Sequence, residues 1–74
     1  MKSNALLINE DDIGIVLVSL DVELEQENIE AAFDEIDYDR LYGDLEKYSR
    51  KSVSQQRVMA HELIKKQILQ AQIF

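Results

Sequence analysis

The hydrophobic positions of this chain recur with the spacing of an α-helix in four successive stretches. These extend over about residues 11–24, 27–36, 38–50 and 53–73. Apolar residues at i, i+3, i+4 and i+7 place one side of a helix against a core. The pattern therefore predicts an all-α fold of three to four short helices, forming a single domain over residues 1–74. Residues 1–8 precede the first helical pattern and are expected to be a flexible N-terminal arm.

The first stretch also fits a strand. Every second residue from Val16 to Leu24 is apolar, and β-branched residues are abundant there, as is typical of strands. Pairing this stretch with residues 5–8 across residues 9–12 gives an alternative fold, an N-terminal β hairpin followed by helices. The connecting turn contains no Gly, which is the strongest short-range signal for a hairpin. The helical interpretation is therefore favoured.

As a helix, the first stretch is apolar on two sides. Ile15, Val18 and Val22 lie opposite the main stripe, and the chain ends on the two large apolar residues Ile73 and Phe74. A chain of 74 residues has little other protein with which to cover such surfaces. We therefore expect a homodimer that completes the bundle. The residues predicted for its interface are Ile15, Val18, Val22, Leu63, Ile68 and Phe74.

Capping residues mark the helix starts. Asn9 or Asp11 suits the N-cap of the first helix, and Asp37 or Asp39 suits that of the third. Ser52 followed by Gln55 forms the capping-box pattern before the fourth. Gly43 falls inside the third helix, where it is expected to mark either close helix packing or a break.

Few residues offer chemistry. The chain has no Cys and one His, His61, which removes thiolate sites and His clusters from consideration. The three serines nearest to His61 lie seven or more residues upstream, and no nucleophile-elbow or phosphate-loop motif occurs. We expect no enzyme activity, no metal site and no cofactor.

Charge is divided unevenly along the chain. Residues 1–46 contain 14 acidic and two basic residues, a net charge of −12, whereas residues 47–74 have a net charge of +5. Such asymmetry points to interaction surfaces. The sequence therefore favours a non-catalytic regulatory or adaptor protein that binds a basic protein surface through its acidic helices. The residues predicted for this acidic face are Glu27, Glu30, Asp34, Glu35 and Asp37.

A nucleic-acid partner is the alternative. Arg50, Lys51, Gln55 and Arg57 cluster at the start of the last helix and are residue types that contact phosphates and base edges. A dimer would then present two such helix starts. The net charge of −7 opposes this interpretation.

No apolar run approaches the length of a membrane span, so we expect a cytoplasmic protein without a membrane partner.

Overall fold

The computed structural model describes residues 7–74, and it confirms the all-α fold. Four α-helices follow one another along the chain: α1 (Glu10–Ser19), α2 (Gln26–Glu35), α3 (Tyr38–Leu45) and α4 (Val53–Ala71). A 3₁₀ turn, Glu46–Tyr48, extends α3. No strand forms within residues 7–74, so the alternative hairpin is wrong for the stretch from Val16 to Leu24.

The helix α1 begins at the predicted cap but ends five residues early. The Asn9 side chain accepts a hydrogen bond from the Asp12 amide, and the Asp12 carboxylate accepts one from the Asn9 amide, which completes a capping box. At the other end, Asp21 adopts a left-handed conformation with φ of 60°. The amides of Asp21 and Val22 then bond the carbonyls of Val18 and Leu17, as in a Schellman motif. This motif ends the helix at Ser19, although the apolar pattern continues.

A tight corner joins α2 and α3. Asp37 caps α3 by accepting a hydrogen bond from the Arg40 amide. Gln67 of α4 holds the same corner, because it accepts from the Asp37 amide at 2.8 Å and donates to the Asp37 carbonyl at 3.3 Å. Gly43 lies within α3 with no heavy atom within 4 Å of the place where a Cβ would be, so it marks neither close packing nor a break.

The long helix α4 is the central helix of the fold, and α1, α2 and α3 all pack against it. Its start is the predicted capping box between Ser52 and Gln55. Every helix contributes to one apolar core, which comprises Ile13, Val16, Leu17, Ala32, Ile36, Leu41, Leu45, Ala60, Ile64 and Ile68.

The predicted N-terminal arm falls mostly on residues 1–6, which lie outside the described residues. Within the described part, the Ile8 amide donates to the Tyr42 hydroxyl at 3.2 Å, and the Ile8 side chain packs against the core. The chain is therefore attached to α3 from residue 8 onward.

Candidate functional site

A buried carboxylate lies at the interface between α1 and α4. Asp12 is 1% exposed and is the one charged residue in the core of the described chain. Its Oδ1 accepts a hydrogen bond from Arg57 Nη1 at 2.6 Å and lies 2.7 Å from His61 Nε2. Its Oδ2 accepts from the Asn9 amide at 3.1 Å. All of the carboxylate's close partners therefore come from α4 and from the cap of α1.

Helix geometry explains how these groups meet. Arg57 and His61 are four residues apart on α4, so their side chains lie one above the other on the same face. Asp12 is the third residue of α1 and points toward α4 because its neighbours Ile13 and Val16 bury the same side of that helix. The cluster thus joins the first turn of α1 to the first half of α4, across 45 to 49 residues of sequence.

Two opposing influences act on the pKa of Asp12. Burial raises it, but the hydrogen bonds from His61, Arg57 and Asn9, together with the charge of Arg57, outweigh burial and lower it from the usual 3.8. The carboxylate is therefore ionised at neutral pH, and the Arg57 guanidinium balances its charge. His61 presents Nε2 to the carboxylate, so this nitrogen is engaged within the fold.

Sequence reasoning missed this cluster. It predicted no contact for Asp12, assigned Arg57 to nucleic acid and gave His61 no partner. A capping-box acid at the third position of α1 and a basic pair spaced by four residues on α4 were the available signals. Among residues 7–74, no group of three or more His, Cys, Asp or Glu side chains could hold a metal ion.

The predicted acidic face is exposed in full and centres on α2. Glu27, Glu30 and Asp34 share the side of α2 that lies opposite the buried Ala32, and Glu35 lies beside them. Asp37 is exposed too, but it also caps α3 and is held by Gln67, so it has a structural role that the sequence analysis did not separate from binding.

Among residues 7–74, no basic side chain forms an ion pair with these exposed acids. Residues 7–39 contain twelve acidic and no basic residues, and eleven of the twelve are exposed. Within the described chain, Asp12 is the one member of this set that forms an ion pair. The surface of α1, α2 and the turn between them therefore carries exposed acidic side chains and no basic one.

The arrangement of acids on α2 works against helix stability. Glu30 lies three residues from Glu27 and four from Asp34, and like charges at these spacings repel each other. Asp34 and Glu35 occupy the last turn, where the helix dipole is negative and where no basic residue is present. Gln26 donates one hydrogen bond to Glu30 at 3.1 Å, which offsets only part of this cost.

The four residues predicted to contact nucleic acid are not equally available to a partner. Arg50 and Lys51 are exposed, and their side chains make no hydrogen bond or ion pair within the described chain. The Lys51 backbone is bonded, because its amide donates to the Tyr48 carbonyl and its carbonyl accepts from Gln56. Gln55 caps α4 by accepting from the Ser52 amide, and Arg57 holds Asp12. The basic start of α4 therefore presents two available cations rather than a set of four contacts.

The residues predicted for a dimer interface also differ in their exposure. Ile15, Val18 and Phe74 are about half exposed or more. Val22 and Leu63 are partly buried against the core, and Ile68 is 2% exposed within the core of the single chain. Ile68 is therefore covered by its own chain and has no surface to offer a partner.

A shallow groove runs between the end of α1 and the end of α4. Its apolar walls come from both elements, and its lining residues are Leu20, Asp21, Val22, Ile68, Leu69, Gln72 and Phe74. Leu69 and Phe74 are about half exposed there. This is the part of the predicted dimer interface that the structure brings together.

Comparison with known proteins gives no relative. No family model matches the chain, and neither a curated protein nor a solved structure matches it. Within residues 7–74, no helix is both long enough and apolar enough to cross a membrane.

Proposed function

We propose that this chain is a non-catalytic adaptor or regulatory protein that binds a basic surface of another protein through the acidic face of α2. The observation that carries this proposal is the unpaired negative surface of residues 7–39, with Asp34 and Glu35 held at the unfavourable end of the α2 dipole. Acids placed at a cost to the isolated helix gain a favourable setting when a cationic partner covers them.

Energetics favour a partner over self-pairing at this face. A cation from another molecule removes the repulsion among Glu27, Glu30 and Asp34 and also compensates the helix dipole. A second copy of α2 against the same face would double the repulsion. The expected contact forms rapidly, depends on charge and weakens with salt.

Self-association is proposed at a different place. The groove between α1 and α4 exposes Leu69 and Phe74 beside Val22, and a second copy that covers it would remove this apolar surface from water. Light scattering at micromolar concentration tests this, since the chain has a mass of 8.6 kDa. A dimer that Leu69→Ser with Phe74→Ser dissociates is the expected result, and a wild-type monomer contradicts it.

The test of the proposed function is affinity capture from the native lysate, with and without nuclease, followed by mass spectrometry. We expect basic proteins to be retained after nuclease treatment and to be released by high salt. Proteins that disappear on nuclease treatment, together with recovered nucleic acid, would instead support the alternative surface at Arg50 and Lys51. Retention of no salt-sensitive partner in either condition would contradict both.

A further inference from the structure

The outer side of α1 carries an apolar surface that the core does not use. Ile15 and Val18 lie one turn apart on this helix and are 54% and 58% exposed. The side of α1 that faces the other helices is formed by Ile13, Val16 and Leu17, which are fully or almost fully buried. Ile15 and Val18 therefore project away from the bundle.

Leu24 extends this surface across the turn that follows α1. Its Cδ2 lies 3.7 Å from the place where a Cβ would stand on Gly14, so the Leu24 side chain covers the bare backbone of that glycine. Gly14 adjoins Ile15 and is one turn before Val18 on the same helix. Leu24 is itself 55% exposed and lies over Gly14, the helical neighbour of Ile15 and Val18. The three exposed side chains are here called the α1 apolar strip (Ile15, Val18 and Leu24).

Acidic residues lie at both ends of the strip and form an acidic rim. Asp11 lies one turn before Ile15, and Asp21, Glu23 and Glu25 flank Val18 and Leu24 in the following turn. All four acids are exposed, and none forms an ion pair with another residue of the described range 7–74. Two copies that met strip to strip would bring these carboxylates against each other, so charge opposes a second copy as the occupant.

The complement of an apolar strip within an acidic rim is an apolar stripe flanked by cations. A helix with aliphatic residues at i, i+3 and i+4 and with Lys or Arg on either side presents that arrangement. We propose that the α1 apolar strip is the docking site for such an amphipathic cationic helix of another protein. The inference rests on the proposed function, because it specifies which kind of basic surface the adaptor binds.

The two parts of the contact have separate roles. Burial of Ile15, Val18 and Leu24 distinguishes an amphipathic helix from any other cationic chain, because only the helix supplies an apolar stripe. The acids of the rim and of α2 attract all cationic chains and set the salt dependence. Substitutions in the strip should therefore change the preference for an amphipathic helix, whereas substitutions of the acids should change the salt dependence of binding.

A defined probe tests the proposal. The probe is a fluorescently labelled, capped peptide of about 18 residues made of Leu and Lys with Leu at helical spacing, long enough to form a helix on binding. A peptide of the same composition with its Leu positions scrambled is the control. Fluorescence anisotropy gives the dissociation constants for both, and we expect the patterned peptide to bind about tenfold more tightly.

Two matched double variants distinguish binding at the strip from a general effect of exposed apolar side chains. Ile15→Ser with Val18→Ser is expected to weaken binding of the patterned peptide about tenfold and to leave binding of the scrambled peptide unchanged. Val53→Ser with Val58→Ser removes two comparably exposed side chains from α4 and is expected to leave both constants unchanged. Circular dichroism verifies that each variant keeps its helicity.

The outcomes distinguish the inference from the proposed function. If both peptides bind equally well and lose affinity with Asp34→Lys and Glu35→Lys, the strip is not a docking site, while the acidic adaptor stands. If neither peptide binds at low salt, both proposals are wrong. A wild-type dimer that Ile15→Ser with Val18→Ser converts to a monomer would assign the strip to a second copy and would also overturn the inference.

Discussion

The α1–α4 interface and the outer surface of α2 place the same kind of side chain in opposite electrostatic settings. At the interface, the single carboxylate of Asp12 is buried and receives hydrogen bonds from Arg57 and His61. On α2, Glu27, Glu30 and Asp34 are exposed and adjacent to one another, and no cation of residues 7–74 pairs with them.

Burial and pairing give acidic residues of one sequence two separate roles. A buried charge must be paired, so Asp12 contributes to the assembly of the fold. An exposed charge is tolerated without a partner at a small cost, so the acids of α2 remain available to another molecule. Removing the charge at Asp12 should therefore destabilise the protein, whereas removing it on α2 should stabilise the protein and impair binding.

The largest expected effect follows from Asp12→Ala. This change leaves His61, Arg57 and the Asn9 amide without their acceptor. We expect the free energy of unfolding to fall by about 3 kcal/mol. This value is near the lower end for buried pairs, because Arg57 is 39% exposed and regains hydrogen bonds to water. That loss is comparable to the whole stability of a domain of this size, roughly 3–5 kcal/mol. Urea denaturation measures it.

The neighbouring residue supplies the control for this prediction. Asp11 lies in the same first turn of α1 but is exposed and has no ion-pair partner. Asp11→Ala removes only a favourable interaction with the helix dipole, so a loss of about 0.3–1 kcal/mol is expected. Equal losses for the two alanine variants would show that the buried cluster has no special role.

Replacement of Arg57 tests the other side of the pair. Arg57→Met keeps the apolar stem and is expected to lower the free energy of unfolding by about 1–2 kcal/mol, since the partial exposure of Arg57 reduces the strength of its hydrogen bond to Asp12. Arg50→Met, at an exposed position without a partner, should change it by less than about 0.5 kcal/mol. Indistinguishable variants would contradict the assignment of Arg57 to the fold.

Acid should weaken the same interface. The pKa of Asp12 is lowered in the folded state, so its stabilising effect is complete above the unfolded value near 3.8 and is lost as the pH falls below that value through the folded pKa. The difference in unfolding free energy between wild type and Asp12→Asn, measured from pH 6 downward, isolates this carboxylate. We expect the difference to shrink below about pH 4, and a constant difference would contradict the lowered pKa.

The smallest effect has the opposite sign. Asp34→Asn with Glu35→Gln removes two negative charges from the negative end of the α2 dipole and should raise the free energy of unfolding by about 0.5 kcal/mol. Glu27→Gln acts at the positive end of the same helix, where the charge is favourable, and should give no gain. A loss of stability in the first variant would show that these acids support the fold.

The sequence pattern predicted the number of helices and most of their starts. Asn9, Asp37 and Ser52 were recognisable as caps because capping depends on residues only three positions apart. The predicted end of α1 was five residues too late. The left-handed turn at Asp21 has an acidic residue where glycine is usual, and the apolar pattern continues past it.

A local sequence pattern could not predict the polar cluster or the burial of Ile68 within its own chain. The meeting of Asp12 with Arg57 depends on how α1 and α4 pack over a separation of 45 residues, which periodicity does not specify. The exposure of Glu27, Glu30 and Asp34 was predictable, because their spacing on α2 places them opposite its apolar side.

If the acids of α2 serve binding rather than folding, stability and partner capture should respond differently to their replacement. Stability in urea and capture of the salt-sensitive lysate partner are compared for wild type and for Asp34→Lys with Glu35→Lys. Asp44→Lys with Glu62→Lys, which changes the net charge equally on α3 and α4, is the control. We expect unchanged or greater stability together with loss of capture in the α2 variant alone. Undiminished capture by the α2 variant, or equal loss in both variants, would contradict it.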